Sequence, residues 1–333
     1  VERSTLQGGM MIKNRGRRLR QNHIIRDMVA DVHISTNDLV YPLFIEEDLI
    51  GKTPIDSMKG IYRLGQEELL KEVEECISLG IKAFLLFGIP KHKDCCGTEA
   101  YNPNGIIQKS VKLLKEKFED ILIITDVCMC EYTSHGHCGI LEGETLVNDK
   151  SAELMAKIAL SHAEAGADIV APSDMMDGRV GLIRNLLDEK GFTDTIIMSY
   201  AVKYASSFYG PFRDACDSTP SFGDRKAYQM DFRRGKDYLT ESLWDLEEGA
   251  DILMVKPGLP YLDILSKLRE KVHVPLAVYN VSGEYAMVKE AAEKGYINEK
   301  GVVLESMYSF KRAGADVIIT YWAKDIAKWL KGN

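Results

Sequence analysis

Three times in this 333-residue chain a stretch of helical period ends in Gly-Ala-Asp and runs straight into an apolar pair. The three copies are Gly166-Ala167-Asp168-Ile169-Val170, Gly249-Ala250-Asp251-Ile252-Leu253 and Gly314-Ala315-Asp316-Val317-Ile318, with looser kin at Gly80-Ile81-Lys82-Ala83-Phe84. Glycine closes a helix in left-handed backbone, and aspartate starts the turn that leads into a strand. A repeated helix-to-strand junction is the mark of βα units around a parallel sheet. The strand candidates are Leu39–Ile45, Lys82–Gly88, Ile121–Cys128, Asp168–Ser173, Thr195–Val202, Asp251–Lys256, Pro275–Val281 and Asp316–Tyr321. Helix candidates such as Gln66–Leu79, Ser151–Ala165, Gly178–Lys190 and Tyr261–Lys271 lie between them. Eight strands with one repeated junction favour a closed (β/α)8 TIM barrel, an α/β fold, over an open doubly wound sheet. The lack of a G-x-G-x-x-G after the first strand weighs against dinucleotide binding in the same way.

A barrel takes roughly 250 residues, so this chain carries an appendage. The change in pattern sets it at residues 1–35, an N-terminal arm, with the barrel as catalytic domain over 36–333. Val1–Met10 is small and polar, Lys13, Arg15, Arg17, Arg18 and Arg20 form a basic run, and Ile24–Val32 is amphipathic. The chain as a whole is acidic, with 42 basic and 50 acidic side chains and a net charge of −8. Nucleic-acid binding is therefore disfavoured, and the basic run reads as an exposed arm resting on an acidic neighbour. The arm has too few apolar residues to fold alone and is expected to gain order on another subunit. No stretch approaches the ~20 apolar residues of a membrane span. With no charged-then-apolar leader, a cytoplasmic setting is expected.

Seven residues on from each repeat glycine stand Ser173, Lys256 and Tyr321. Asp126, Lys203 and Ser282 close three other strands. In a barrel these ends line the catalytic face. A lone lysine at a strand end is commonly a snorkelling surface group. Two lysines from consecutive strands aimed at one mouth are different, because mutual repulsion and burial release the free amine near neutral pH. Schiff-base chemistry with a carbonyl substrate is the expectation.

Cys128, Cys130 and Cys138 crowd the loop Asp126–Gly139, after the third strand. Their C-x-C-x7-C spacing is unlike the paired C-x2-C of a structural zinc finger, and three thiolates leave a fourth tetrahedral position open, as in a catalytic zinc site. His135 and His137 are alternative ligands in the same loop, or orienters of it. Cys76, Cys95 and Cys96 have no such spacing and read as structural; Met175, Met176, Phe84 and Phe87 read as packing. Between Lys203 and a helix beginning near Lys236 runs a long stretch rich in Gly, Ser, Pro and Asp, of the kind that forms active-site lids. It carries Arg213, Arg225 and Gln229, and arginine forks suit a carboxylate-bearing substrate.

Taken together, the cysteine loop, Ala171–Gly178, Ser207–Arg213 and Met254–Pro257 resemble porphobilinogen synthases, also called 5-aminolaevulinate dehydratases, from about Arg17 to Ala323. The resemblance implies a barrel with an N-terminal arm, assembled as a homo-octamer. It also implies an enzyme of haem and tetrapyrrole biosynthesis that condenses two molecules of 5-aminolaevulinate into porphobilinogen with loss of two waters. On the same resemblance Lys256 forms the Schiff base at the propionate side of the product and Lys203 the one at the acetate side. Ser282 and Tyr321 hold the first carboxylate; Arg213, Arg225 and Gln229 hold the second. Asp126 and Ser173 orient the amine and the Schiff-base lysine. Retention of the three cysteines places the chain with the zinc type, and Glu241 matches a position linked to allosteric magnesium. A class I aldolase would explain one lysine but neither the second nor the cysteines. A zinc-binding barrel without catalysis would not need both lysines.

Overall fold

The computed structural model describes residues 14–332. Val1–Met10 and Lys13 of the expected arm lie outside them. The described chain divides into two compact units between His33 and Ile34, two residues earlier than the pattern change suggested. In the first, a 3-10 turn spans Gly16–Arg20 and a short helix spans His23–Met28, and neither buries a residue. Asn22 caps that helix, its side chain accepting a hydrogen bond from the Ile25 amide at 3.0 Å.

The second unit is built on eight parallel strands: β1 (Leu39–Glu46), β2 (Ala83–Ile89), β3 (Leu122–Val127), β4 (Ile169–Pro172), β5 (Ile196–Lys203), β6 (Ile252–Lys256), β7 (Leu276–Asn280) and β8 (Val317–Thr320). Each pairs with the next in sequence order, and β8 returns to β1 through Leu39 opposite Ile318, so the sheet closes into a (β/α)8 barrel. Closure leaves no edge among the eight strands. The outer ring includes Gln66–Leu79, Ile106–Lys117, Asn148–Ala165, Arg179–Glu189, Asp237–Glu247, Leu262–Arg269, Glu299–Arg312 and Ala323–Leu330. Strand residues such as Phe44, Leu85, Ile124, Val170, Val202, Val255, Val278 and Ile319 are buried in one continuous core. Two antiparallel hairpins, Lys52–Pro54 with Tyr62–Leu64 and Leu141–Glu142 with Thr145–Leu146, were not expected from the sequence.

The Gly-Ala-Asp repeat does two jobs in the fold. Gly166, Gly249 and Gly314 stand at φ of 106°, 105° and 107°, closing their helices where a β-carbon would be strained. The aspartates then stitch the barrel floor. Asp168 accepts a hydrogen bond from Ile123 N at 2.7 Å, Asp251 from Ile197 N at 2.8 Å and Asp316 from Leu276 N at 2.8 Å. Each reaches the first amides of the preceding strand, which anchors neighbouring strands at their N-terminal ends and sends their C-terminal ends to one common rim.

Candidate active site

That rim carries the polar residues expected of it. Lys203 and Lys256 close β5 and β6 and are register partners across the β5–β6 ladder. Both are buried. The ladder slips between Leu253 and Val255, where β5 holds one residue more than β6. Such a bulge reverses side-chain alternation, and so Tyr200 and Lys203, three apart, share one side: the Lys203 amine stands 5.5 Å from the Tyr200 ring centroid. Lys256 sits in an aromatic cage, 4.2 Å from Tyr279, 5.0 Å from Phe212, 5.1 Å from Tyr200 and 5.3 Å from Tyr209. Burial, and next the neighbouring Lys203, bring the Lys256 amine down to about 7. A cation in this cage gains from the ring faces but loses its water, and desolvation is the larger effect.

Beside the lysines, Lys203 donates to the carbonyl oxygen of Ser173. Ser173 Oγ donates to Asp126 Oδ2 at 3.1 Å, which leaves Asp126 Oδ1 buried with no partner. Burial, followed by the charge of Glu131, pushes Asp126 up to about 7. On the other side Tyr321 and Tyr279 share a hydrogen bond of 3.0 Å between their hydroxyls. Ser282 opens the helix Ser282–Glu293, and its Oγ accepts from the Phe212 amide at 3.0 Å. Glu284, in the same helix turn, accepts from Val281 N at 2.6 Å, Leu259 N at 2.5 Å and Gly258 N at 3.4 Å. It ties the loop after Lys256 to the loop before Ser282.

Arg213, Arg225 and Gln229 line a cleft of about 570 Å³ with Ser207, Phe208 and Tyr261. Arg225 spends one end of its fork on the carbonyls of Gly136 and Ser218, at 2.9 and 2.6 Å. The Nε atoms of Arg213 and Arg225 and both side-chain polar atoms of Gln229 are buried without partners. Buried unpaired donors are costly, and a carboxylate can accept from the two arginine Nε–H groups and from the Gln229 side-chain nitrogen. The stretch that bears them is partly ordered: a 3-10 turn, Ser207–Tyr209, leads into a helix, Gly210–Cys216, which carries Arg213.

Cys128, Cys130 and Cys138 are buried with all three sulfurs within 4.8 Å of one another. Hydrogen bonds from Cys128 and Cys130 hold Cys138 well below the ordinary thiol range, with the charges of Arg225 and Lys203 adding to them. Three soft donors whose sulfurs lie this close together fit a thiophilic divalent cation such as zinc. His135 and His137 are not among them. The His137 ring is engaged by Tyr228 Oη at 3.2 Å and the Phe222 carbonyl at 3.0 Å, and the His135 ring stands 3.3 Å from the Cys95 carbonyl. Glu131 escaped the sequence reading. It is buried, accepts from Cys130 Sγ at 3.3 Å, and joins Asp126 and Cys128 in a second possible ligand set. Nothing in its spacing distinguishes it; only burial does. Tyr200, Tyr209, Phe212 and Tyr279 were also missed.

Glu241 stands apart, half-buried beside a cleft with Glu144, Asp177, Asp231 and Asp237, and no set of three metal-ligating groups among the described residues includes it. Cys76 is buried in the core as expected, but Cys95 and Cys96 are exposed, contrary to a structural role, because the loop after β2 turns their side chains to solvent. Met175, Met176, Phe84 and Phe87 are all buried. Among the described residues no helix is long and apolar enough to cross a membrane.

Compared with known proteins, residues 13–329 match the family model described as delta-aminolevulinic acid dehydratase. The chain is 53% identical over 317 residues to the delta-aminolevulinic acid dehydratase of Bacillus subtilis, covering 95% of this chain and 98% of that one. It is 54% identical over 314 residues to that of Methanothermus sociabilis, covering 94% and 98%. The crystal structure of the Toxoplasma gondii enzyme in complex with porphobilinogen superposes with a TM-score of 0.94 at 51% identity, covering 96% of this chain and 92% of that one.

Proposed function

Because the chain belongs to the delta-aminolevulinic acid dehydratase family, the lyases that make porphobilinogen for tetrapyrrole biosynthesis, we propose that it does so through two lysine Schiff bases. The observation that carries this reading is the pairing of Lys203 with Lys256, buried side by side at the ends of β5 and β6. A 5-aminolaevulinate molecule presents a ketone, an amine and a carboxylate. The free amine of Lys256 attacks the ketone of the first molecule and water leaves, giving the imine; Lys203 does the same with the second. Each lysine is regained as the amine when the product forms, so the two condensations release two waters overall.

The remaining residues bind and orient. Ser282 and Tyr321 receive the carboxylate of the substrate on Lys256. Arg213, Arg225 and Gln229 receive that of the substrate on Lys203, their unpaired nitrogen donors supporting the assignment. Asp126, with the Ser173 hydroxyl donated to it, sits where it can hold a proton beside the two amines. The aromatic cage of Lys256 excludes water and so weakens that amine's hold on its proton. Cys128, Cys130 and Cys138 would hold zinc, which would supply Lewis-acid chemistry to the substrates there.

The same reading takes residues 1–35 as an arm that joins subunits of a homo-octamer around the barrel domain, 36–333, in the cytoplasm. In support, the helix His23–Met28 buries none of its residues and leaves Ile24 and Met28 exposed. It also takes Glu241 as one ligand of a regulatory magnesium, an ion that keeps several waters and needs only one or two carboxylates.

Substrate and borohydride, followed by peptide mapping, test the reading. Reduced adducts are expected on the peptides bearing Lys256 and Lys203. Adducts confined to exposed lysines such as Lys112 would refute it.

A further inference from the structure

We propose that Cys95 and Cys96 form a vicinal dithiol that chelates a trivalent arsenical, at a site separate from the buried cysteine cluster. The two thiols are exposed, and their sulfurs stand 3.4 Å apart. With bonds of roughly 2.3 Å, the length thiolates make to zinc, two sulfurs on one ion are about 3.3 Å apart at a right angle, about 3.8 Å at the tetrahedral angle and about 4.6 Å in line. The observed spacing therefore suits a pyramidal ion with near-right-angled bonds and excludes a linear S–metal–S bridge without rearrangement. No third ligand completes a set with this pair among the described residues. That favours an ion which brings its own third substituent, as an organoarsenical does.

The pair is held in place by its loop. Asp94 accepts from Cys96 N at 2.8 Å and Thr98 N at 3.2 Å, and also from the Thr98 hydroxyl. Its backbone bridges the loop of the buried cluster: Asp94 N donates to Tyr132 O at 3.3 Å and Ser134 N to Asp94 O at 2.8 Å. Gly97 follows at φ +59°, where a β-carbon would press on Met129 at 3.2 Å. A two-point ligand thus meets thiols whose backbone is already ordered, which lowers the entropic cost of chelation. Its contact with Cys95, then burial, raises the Cys96 thiol above its ordinary value. Condensation with an arsenoxide consumes thiols rather than thiolates. In that step both S–H bonds and the As–O bonds break, two As–S bonds form, and the oxygen leaves as one water with both protons. Arsenic stays trivalent and nothing is oxidised.

The test uses phenylarsine oxide on the full chain, read by intact mass after desalting. The wild type should carry one more phenylarsenic group than the Cys95→Ser/Cys96→Ser variant, each at the mass of the oxide less one water. That extra group should survive excess 2-mercaptoethanol, leave with 2,3-dimercaptopropanol, and persist in Cys130→Ala. Equal loading of wild type and double variant, or loss of the extra group in Cys130→Ala, would overturn the proposal. So would its release by the monothiol.

Discussion

The Lys256 amine is the group whose chemistry depends most on its surroundings. Burial and Lys203 bring it from 10.5 to about 7, which disfavours the charged form by ~5 kcal/mol. At pH 7 about half of the molecules would carry a free amine there, against about one in 2,500 for an exposed lysine. The assay mixes the protein with 5-aminolaevulinate at a series of pH values. It quenches each sample into borohydride at one fixed pH and follows the adduct on the Lys256 peptide with time. The rate should be half-maximal near pH 7, level off above it, and fall about tenfold per unit well below it. Lys203→Met should move the midpoint upward but leave it well short of the ordinary lysine value, since burial is the larger cause. The stability consequence has a definite sign. The folded chain gives up this proton near pH 7 and the unfolded chain keeps it until about 10.4, so this group's contribution to stability rises with pH across that window and is constant outside it. A trapping rate that kept climbing toward pH 10 in the wild type would refute the reasoning, as would a midpoint unmoved by Lys203→Met.

Two further outcomes follow from the rim. Cys130→Ala, or chelation of the native protein, should abolish bound zinc and nearly all activity while leaving the thermal transition within a few degrees, because the barrel has its own core; cooperative unfolding on metal loss, read by calorimetry, would make the ion structural. Glu284→Leu should cost about 2–5 kcal/mol by denaturant titration, since it strands buried amides at Gly258, Leu259 and Val281, and should lower kcat by loosening the loop that follows Lys256.

The barrel was legible because its signal is local and repeated. Gly166, Gly249 and Gly314 mark where helices stop, and a count of seven from each reaches the rim at Ser173, Lys256 and Tyr321. No strand bound shifted by more than one residue, and those that did shifted because hydrogen bonding rather than hydrophobicity ends a strand. The stitch made by Asp168, Asp251 and Asp316 was not legible, since its acceptor role needs the preceding strand's first amides brought close. Nor was the cage around Lys256. The bulge in β5 breaks the two-residue alternation, so no sequence period links Tyr200 to Lys203, and Phe212 comes from a stretch whose short helix the composition hid. Cysteine spacing found Cys128, Cys130 and Cys138 but says nothing of exposure, which is where Cys95 and Cys96 were misread.

Initial rates of pyrrole formation from 5-aminolaevulinate, measured side by side for the wild type and Lys256→Arg with zinc and a reductant present, test the paired-lysine chemistry most directly. The wild type should form the pyrrole and the variant should not, because arginine keeps the positive charge but has no amine to give an imine. Pyrrole formation at an undiminished rate in Lys256→Arg would contradict it.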